Sequence, residues 1–522
     1  MPERAPSSYL VLGDIVRRNA ICQPDDTAYK FEGERISFAR HYSNALKLAT
    51  AMRRLGLRHQ SRVGIMAMNS YQQVTAFSAC ELAGFVAATV NYRLAAPEVE
   101  QILLDCTPGM LIFDAAYADL IDSIRPSLTS IKHFVCIGQG KPWAPSLAET
   151  VDQVAEAQET PWRVEPDDLI HIIYTSGTTG KPKGVMRSHF AEIQMAETMT
   201  TEVGLLSDDI VQVTMPLFHV GARWVQLGAQ LRAAAVILHA KYEEEEVIRT
   251  IERERVTLAH MAPTLVQRTL QNPLVDTANL SSLRTIYYSA APMPLATLKK
   301  GLELFGNVFV QLYGMTEGGG TTLKKHQHRP DGTPRERRWL TSVGQAPHGL
   351  KIRIVDDLGR DLPRGQPGEV VTRTATRMSG YWNNSAATAD AIREGWYYTG
   401  DVGLLDDEDF LYLVDRKKDM IISGGENIYC REVEEALASH PDVAEVAVFG
   451  LPDPEWGEIV VATIVSSRGA EIPETVLEAH CRKHIASYKK PKRYVFVAEI
   501  PKLNTGKVNK IELRKTFSAK TA

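Results

Sequence analysis

Between about residue 10 and residue 240, short apolar runs alternate with amphipathic stretches. The spacing predicts helices over 46–55 and 72–83, and strands over 62–68, 110–113 and 133–137. Gly84 stands where the second helix should stop. Alternation of this kind predicts α/β architecture with crossover helices. The apolar run 169–174 leads into a stretch rich in Gly, Thr and Ser, which reads as a strand ending in a functional loop. After residue 340 the texture changes. Runs at 350–355, 368–371 and 410–414 are separated by Gly, Pro and Asp turns and predict a small β-rich subdomain. From residue 415 the pattern is mixed again, with helices over 431–439 and 473–484 and strands over 443–448 and 460–465.

The predicted fold class is therefore α/β. Residues 1–415 are expected to form a large N-terminal domain of two α/β subdomains plus the β-rich subdomain. Residues 416–522 are expected to form a small, mobile α/β domain, since about one hundred residues suffice for one. The charged stretch 415–419 is the candidate hinge; its other reading is an exposed polar turn.

Composition adds boundaries rather than a function. A chain of 522 residues exceeds what one hydrophobic core supports. The hydrophobic share of 44% and charged share of 23% are ordinary for a soluble protein. A net charge of −4 gives no reason to expect nucleic acid as a partner. The six cysteines, Cys22, Cys80, Cys106, Cys136, Cys430 and Cys481, show no metal-ligand spacing and read as reduced thiols. Residues 1–10 carry no long apolar core, so no signal peptide is expected. The chain has no apolar run of about 18 residues, which argues against a transmembrane segment. The expected location is the cytoplasm, and the architecture leaves room for a homodimer.

The strongest local signal is Tyr174-Thr175-Ser176-Gly177-Thr178-Thr179-Gly180-Lys181-Pro182-Lys183-Gly184, with three glycines, four Ser/Thr hydroxyls and two lysines in eleven residues. Glycines let backbone N–H groups close around an anion. Hydroxyls donate to phosphate oxygens, and lysine supplies compensating charge. The loop suits a polyphosphate, yet it is not a P-loop. Two residues separate Gly177 from Gly180-Lys181 where that motif needs four, and Pro182 takes the Ser/Thr place. On composition alone such a loop is more often a flexible connection.

This string resembles the signature loop of the adenylate-forming superfamily, which contains acyl-CoA synthetases, firefly-type luciferases and the adenylation domains of non-ribosomal peptide synthetases. Further motifs follow in that family's order. Ser289-Ala290-Ala291-Pro292-Met293 resembles its pocket segment, and Tyr313-Gly314-Met315-Thr316-Glu317 its YGxTE motif. Tyr397-Tyr398-Thr399-Gly400-Asp401 resembles the TGD motif. Asp415-Arg416-Lys417-Lys418-Asp419, with Ser423-Gly424-Gly425-Glu426-Asn427, resembles the hinge and the loop after it. Pro501-Lys502-Leu503-Asn504-Thr505-Gly506-Lys507 resembles the terminal segment that bears a catalytic lysine. The general run of the sequence is most similar to bacterial fatty-acyl-CoA ligases.

The resemblance implies ATP, Mg²⁺ and coenzyme A as cofactors or co-substrates, a small carboxylic acid as substrate, and an acyl-adenylate intermediate. It implies that Thr175, Ser176, Gly177, Thr178, Thr179, Gly180 and Lys183 cradle the phosphates. Thr316 would donate to the α-phosphate and Glu317 would bind Mg²⁺; read alone, Thr-Glu is more often a helix cap. Ala291, Pro292, Tyr313 and Gly314 would line the adenine site, and Asp401 would meet the ribose hydroxyls. Arg416 would support that ribose or a phosphate. Lys507 would span the carboxylate and ATP, Lys418 would be the hinge, and Gly424 and Gly425 would shape a thiol tunnel. Without the resemblance, Lys507 reads as a solvated surface lysine.

The implied acyl pocket holds His219, Gly221, Trp224, Met261, Ala290 and Met315. His219 is a gate beside the carboxylate or a packed core histidine. An acidic residue to meet an amino acid's ammonium is missing from the Phe218-His219 stretch, which disfavours amino acids. Gly221 and Ala290 leave room for a chain or a ring, so a fatty acid is expected first and an aryl acid second. Other outcomes are transfer to a carrier-protein thiol and a catalytically silent nucleotide-binding scaffold. Lys489, Lys490, Lys492 and Arg493 form a basic cluster suited to coenzyme A phosphates, or a solvated face. His326-Gln327-His328 reads as an exposed basic loop rather than a metal site.

Overall fold

The computed structural model describes residues 10–175, 182–424, 426–502 and 508–518. The fold is mixed α/β, with a larger N-terminal and a smaller C-terminal part. The chain groups into two compact units. One comprises residues 1–351 with 372–397, the other residues 352–371 with 398–522. The β-rich stretch that follows residue 340 thus groups largely with the C-terminal segment.

The first unit contains two sheets. In the seven-stranded sheet, Gly380–Tyr381, Lys183–Ser188, Leu169–Thr175, Val86–Thr89, Arg62–Met66, Met110–Asp114 and His133–Ile137 lie side by side in that order. The eight-stranded sheet runs Thr322–Leu323, Phe309–Leu312, Thr285–Ser289, Leu258–Met261, Ile210–Val213, Ala235–Leu238, Thr27–Phe31 and Glu34–Ser37. Its six central strands are parallel. Central strands of both sheets are buried from end to end, as in Val86–Thr89 and Leu258–Met261. That is the signature of parallel strands covered on both faces.

The helix Tyr71–Ala83 shows how local chemistry sets its ends. Ser70 accepts from the Gln73 N–H at 3.1 Å, and Gly84 closes the helix in the left-handed conformation at φ 65°. Every residue but Gln72 is buried, so this is a core helix without an amphipathic stripe. The helix expected at 46–55 begins much earlier, spanning Phe38–Arg54. Its first turns hide a polar residue in the core. His41 is buried, with Nε2 3.0 Å from Ser78 Oγ and its ring edge-on to Tyr29, which breaks the apolar periodicity that marks a helix.

In the second unit, Lys351–Val355, Gly368–Arg373, Trp396–Leu405 and Leu411–Arg416 belong to one sheet. Another carries Glu426–Ile428, Ile421–Ser423, Gly457–Ser466 and Val443–Asp453, with Arg493–Phe496 parallel to Gly457–Ser466. The hairpin Val443–Asp453 with Gly457–Ser466 runs past the predicted 443–448 and 460–465. Asp453 Oδ1 closes it by accepting from the N–H groups of Glu455 and Trp456, each at 2.9 Å. Helices Cys430–Ala438, Glu474–His484 and Lys510–Ser518 complete the unit.

One crowded segment gives a stability prediction. A Cβ on Gly320 would lie 1.7 Å from the Tyr313 carbonyl oxygen, inside the contact that closes residues 313–321. Gly320→Ala is expected to destabilise the protein by at least about 2 kcal/mol, because backbone cannot yield as a side chain does. Gly109→Ala, where a Cβ meets nothing within 4 Å, should stay within about 0.5 kcal/mol. Urea unfolding of both variants beside wild type measures the difference.

Candidate active site

Strands Leu258–Met261, Thr285–Ser289 and Phe309–Leu312 are parallel neighbours, with Met261 opposite Tyr288 and Ser289 opposite Leu312. Their carboxyl ends therefore deliver Met261, Ala290 and Tyr313 to one edge of the sheet. In open α/β sheets that edge is where ligands bind. The chain then forms a tight turn. Met315 and Gly318 are bridged, the Gly318 N–H donating to the Met315 carbonyl at 3.2 Å, and Thr316 and Glu317 occupy the turn's centre. The helix-cap alternative for Thr-Glu is thereby replaced by a hairpin tip, where both side chains project from a fixed backbone.

Glu317 has a structural neighbour that the sequence did not reveal. The Tyr381 hydroxyl donates to Glu317 Oε1 at 2.9 Å. Burial first, and the Glu317 charge next, push the Tyr381 phenol well above its ordinary pKa, so it stays a donor. Lys183 Nζ stands 4.9 Å from the centre of the same ring. Lys183 is itself opposite Thr175 across the antiparallel strands Leu169–Thr175 and Lys183–Ser188. A carboxylate, a phenol, an ammonium and the two ends of the Gly/Ser/Thr loop are thus gathered in one place. Ser176, Gly177, Thr178, Thr179 and Gly180 lie outside the described residues. Tyr381 follows Gly380 in a two-residue strand paired with Val185 and Met186. In the sequence, a Gly-Tyr pair gives no sign of that destination.

Beneath this turn runs a chain of buried charges. Arg187 and Glu192 are both fully buried and pair at 3.1 Å. Arg187 Nη1 also donates to the Thr376 carbonyl at 2.7 Å and the Thr316 carbonyl at 3.4 Å. Glu192 further accepts from His171 Nδ1 at 3.0 Å and from Trp224 Nε1 at 2.9 Å. On the other side of His171, Arg223 Nε donates to Nε2 at 3.4 Å, and Arg223 pairs with buried Glu81. Because arginine only donates, His171 Nε2 must accept, which fixes the neutral Nδ1–H tautomer. Burial also lowers the His171 pKa, in the same direction. For Glu192, burial alone would raise the pKa, but the Arg187 charge and the His171 N–H hold it low. Trp224, expected on the pocket wall, is only 2% exposed. It belongs to this network, with Arg187 over its ring at 5.3 Å.

The remaining pocket residues are partly reunited. His219 is half-buried, N-terminal to the helix Val220–Arg232, with its ring 4.2 Å from Phe218. A Cβ on Gly221 would be 3.7 Å from His260 Cε1 and 3.9 Å from Ser289 Oγ. His260 Nε2 is 3.1 Å from that Ser289 hydroxyl, and burial lowers the imidazole pKa to about 3, so it is neutral. Met261 is buried, Met315 half-buried, and Ala290, Ala291, Pro292 and Gly314 are exposed. Ala290 holds φ at +75°, a left-handed conformation that an alanine adopts only at a cost of about 1 kcal/mol or more. His328 overturns the exposed-loop expectation. It is 3% exposed, with Nδ1 at 2.9 Å from the Lys324 carbonyl and Nε2 at 3.0 Å from the Tyr288 hydroxyl, and burial lowers its pKa to about 4.

In the second unit, Asp401 and Arg416 face each other across paired strands, and Arg416 Nε meets Asp401 Oδ1 at 2.6 Å. The Asp401 N–H donates to Thr399 Oγ1 at 3.0 Å, and Gly400 takes φ +70°. The TGD segment is part of the strand Trp396–Leu405. Lys418 sits in the exposed turn that follows Arg416. Gly424 takes φ +60°, and a Cβ there would be 2.9 Å from the Trp456 ring. In the basic cluster, Lys489 pairs with Glu432 at 2.7 Å and Lys490 with Glu478 at 3.0 Å, so acids balance two of its charges. Lys492 Nζ lies 4.4 Å from the Trp456 ring centre. Gly425 and Lys507 lie outside the described residues. Among the described residues, no helix is long and apolar enough to cross a membrane.

Comparison with known proteins identifies the family. Residues 16–382 match the AMP-binding enzyme family, and residues 432–507 match the AMP-binding enzyme C-terminal domain. The chain is 35% identical to an indoleacetate–CoA ligase of Aromatoleum aromaticum over 511 residues, 98% of this chain and 99% of that one. It is 34% identical to a feruloyl-CoA synthase of an Amycolatopsis species over 508 residues, covering 97% and 99%. The solved structure of a Mycobacterium tuberculosis fatty acyl CoA synthetase aligns with a TM-score of 0.80 at 33% identity, covering 98% and 99%. With the ordered motifs in place, the chain belongs to the AMP-binding enzyme family of the adenylate-forming superfamily and is an AMP-forming acid–thiol ligase.

Proposed function

We propose that the protein joins a carboxylic acid to coenzyme A in two steps. The acid carboxylate attacks the α-phosphate of ATP, giving acyl-adenylate and pyrophosphate; the coenzyme A thiol then displaces AMP. One observation carries this reading, namely Lys183, Tyr381 and Glu317 gathered at the ends of the Gly/Ser/Thr loop. Bringing an anion to an anion demands charge neutralisation and alignment, and these groups supply both.

The residues present fit a Mg²⁺ ion. Tyr381 uses one lone pair of Glu317 Oε1, and a carboxylate offers about four such sites. Mg²⁺ takes one or two carboxylates and completes its shell with phosphates and water. When bound, the ion would neutralise phosphate charge. Thr316 would donate to the α-phosphate, and Asp401, oriented by Arg416, would accept from the ribose hydroxyls. Lys507 would bridge carboxylate and phosphate during adenylation, by family resemblance.

The general run of the sequence supports a fatty acid. A second reading, an aryl acid, is favoured by the neighbourhood of Gly221. With no side chain at 221, the edge of His260 and the Ser289 hydroxyl are the groups nearest to where a Cβ would stand, at 3.7 and 3.9 Å. A ring with a polar substituent satisfies such an edge, and a saturated chain does not. The indoleacetate and feruloyl relatives act on acids of this second type by name.

The decisive assay is pyrophosphate release with Mg-ATP across fatty and aryl acids, with and without coenzyme A. Release that depends on the acid, with an acyl-CoA product, is expected. Lys507→Ala should abolish release yet still convert added acyl-adenylate to the thioester. Absence of release with every acid, together with no ATP binding by calorimetry, would sink the ligase reading.

Substrate choice is tested separately. If the aryl reading holds, Gly221→Val should lower kcat/KM for aryl acids by at least about 10-fold, since one methylene in a pocket is already worth about 10- to 200-fold. Ser289→Ala should erode the preference for ring-hydroxylated over unsubstituted acids. If only fatty acids are turned over and Ser289→Ala changes nothing, the fatty-acid reading stands.

A further inference from the structure

Arg187 has no place in the chemistry described so far, yet it touches the backbone at the centre of the Thr316–Glu317 turn. Its guanidinium is fully buried. Nη1 reaches the carbonyls of both Thr316 and Thr376, residues that are distant in sequence. Three further contacts join the same two segments. The Met378 N–H donates to the Glu317 carbonyl at 2.7 Å, the Gly319 N–H donates to Thr376 Oγ1 at 3.0 Å, and Tyr381 donates to the Glu317 carboxylate.

A trans peptide is planar, with its C=O and N–H on opposite sides. With the Thr316 carbonyl turned inward onto Arg187, the Glu317 N–H of the same peptide is turned away from it. A rotation of that peptide plane would bury the N–H against a cation and swing the carbonyl outward. An outward carbonyl would repel a phosphate, whereas an outward N–H attracts one. The Arg187 charge is itself fixed, because Glu192 is tied to His171 and Trp224 as well. The guanidinium is thus shut off from solvent and held through Nε and Nη1.

We infer that Arg187 is a positioning residue for the adenylation half-reaction, locking the Thr316–Glu317 peptide with its carbonyl inward so that the turn presents its N–H and side chains to the nucleotide. The inference rests on the roles proposed above for Thr316 and Glu317. It bears chiefly on the first half-reaction, where the α-phosphate must be aligned for attack; in the second that phosphate is already joined to the acyl group and only departs with AMP.

The test compares wild type, Arg187→Met and Arg187→Lys in two separate assays. The first is acid-dependent pyrophosphate release; the second is conversion of synthetic acyl-adenylate plus coenzyme A to acyl-CoA. Arg187→Met is expected to lower kcat for the first by about 10- to 100-fold with KM for the acid within about threefold, while the second stays within about threefold. Arg187→Lys keeps a cation beside Glu192, and with it the fold, but a point charge on a flexible stem cannot reproduce the planar fork. It should show the same split at smaller size, and it carries the test should Arg187→Met fail to fold. Equal loss in both assays, or no loss in a folded variant, overturns the inference. Failure of wild type itself to release pyrophosphate would instead strike the functional reading on which it rests.

Discussion

Five ionisable side chains, Glu81, Arg223, His171, Glu192 and Arg187, stand in line through the interior of the first unit with almost no access to water. Each costs several kcal/mol to desolvate, and the arrangement survives because each arginine faces a glutamate; Arg187 Nη2 is the one guanidinium nitrogen of the line that is buried without a hydrogen-bond partner among the described residues. The constraint is severe. Removing one member leaves its neighbour buried and unpaired, at a cost of about 3–5 kcal/mol. What it secures is register. The line ties the helices Tyr71–Ala83, His189–Val203 and Val220–Arg232 to the strands Leu169–Thr175 and Lys183–Ser188. These strands enter and leave the Gly/Ser/Thr loop, so the loop's anchor points inherit that rigidity.

The two arginines have different environments. Arg223 is enclosed by Glu81, Gln226, His171 and the ring of Phe77, all side chains. Arg187 spends part of its donor capacity on backbone carbonyls, which is how a buried charge comes to govern a turn rather than merely fill a core. A neutral histidine between them leaves two arginines set against two glutamates, because His171 offers Glu192 an N–H without adding a third cation. The polar side chains that break the apolar pattern of the core helices are thus the same ones that hold the candidate site in shape.

The second unit uses pairing in a different way. Asp401 is oriented by Arg416 from the next strand, so the carboxylate expected to meet a sugar is fixed on rigid sheet rather than on a loop. The chain turns immediately afterwards, at exposed Lys417 and Lys418, and Lys417 is held by Asp357 and Glu369. Acids likewise balance Lys489 and Lys490. A cluster of lysines that reads as strongly basic in the sequence is therefore much less so in the fold.

The sequence by itself determined the class of fold and the order of the motifs. Apolar runs such as 133–137 and 169–174 mark strands because a buried parallel strand has no polar face to blur it, and Ser70 and Gly84 mark helix ends through capping chemistry that is local. Thr316, Glu317, Asp401 and Lys183 stood out in the sequence because the roles proposed for them are tied to short contiguous strings. What only the tertiary structure decided depends on partners far apart in the chain. It set Tyr381 against Glu317, placed Trp224 within the charge line rather than on an open wall, buried His328 under Tyr288, and turned Arg187 onto Thr316. None of these has a local signal, since a buried polar side chain looks in sequence like an exposed one. What separates them is desolvation, and its cost is met only by groups that the fold brings from elsewhere.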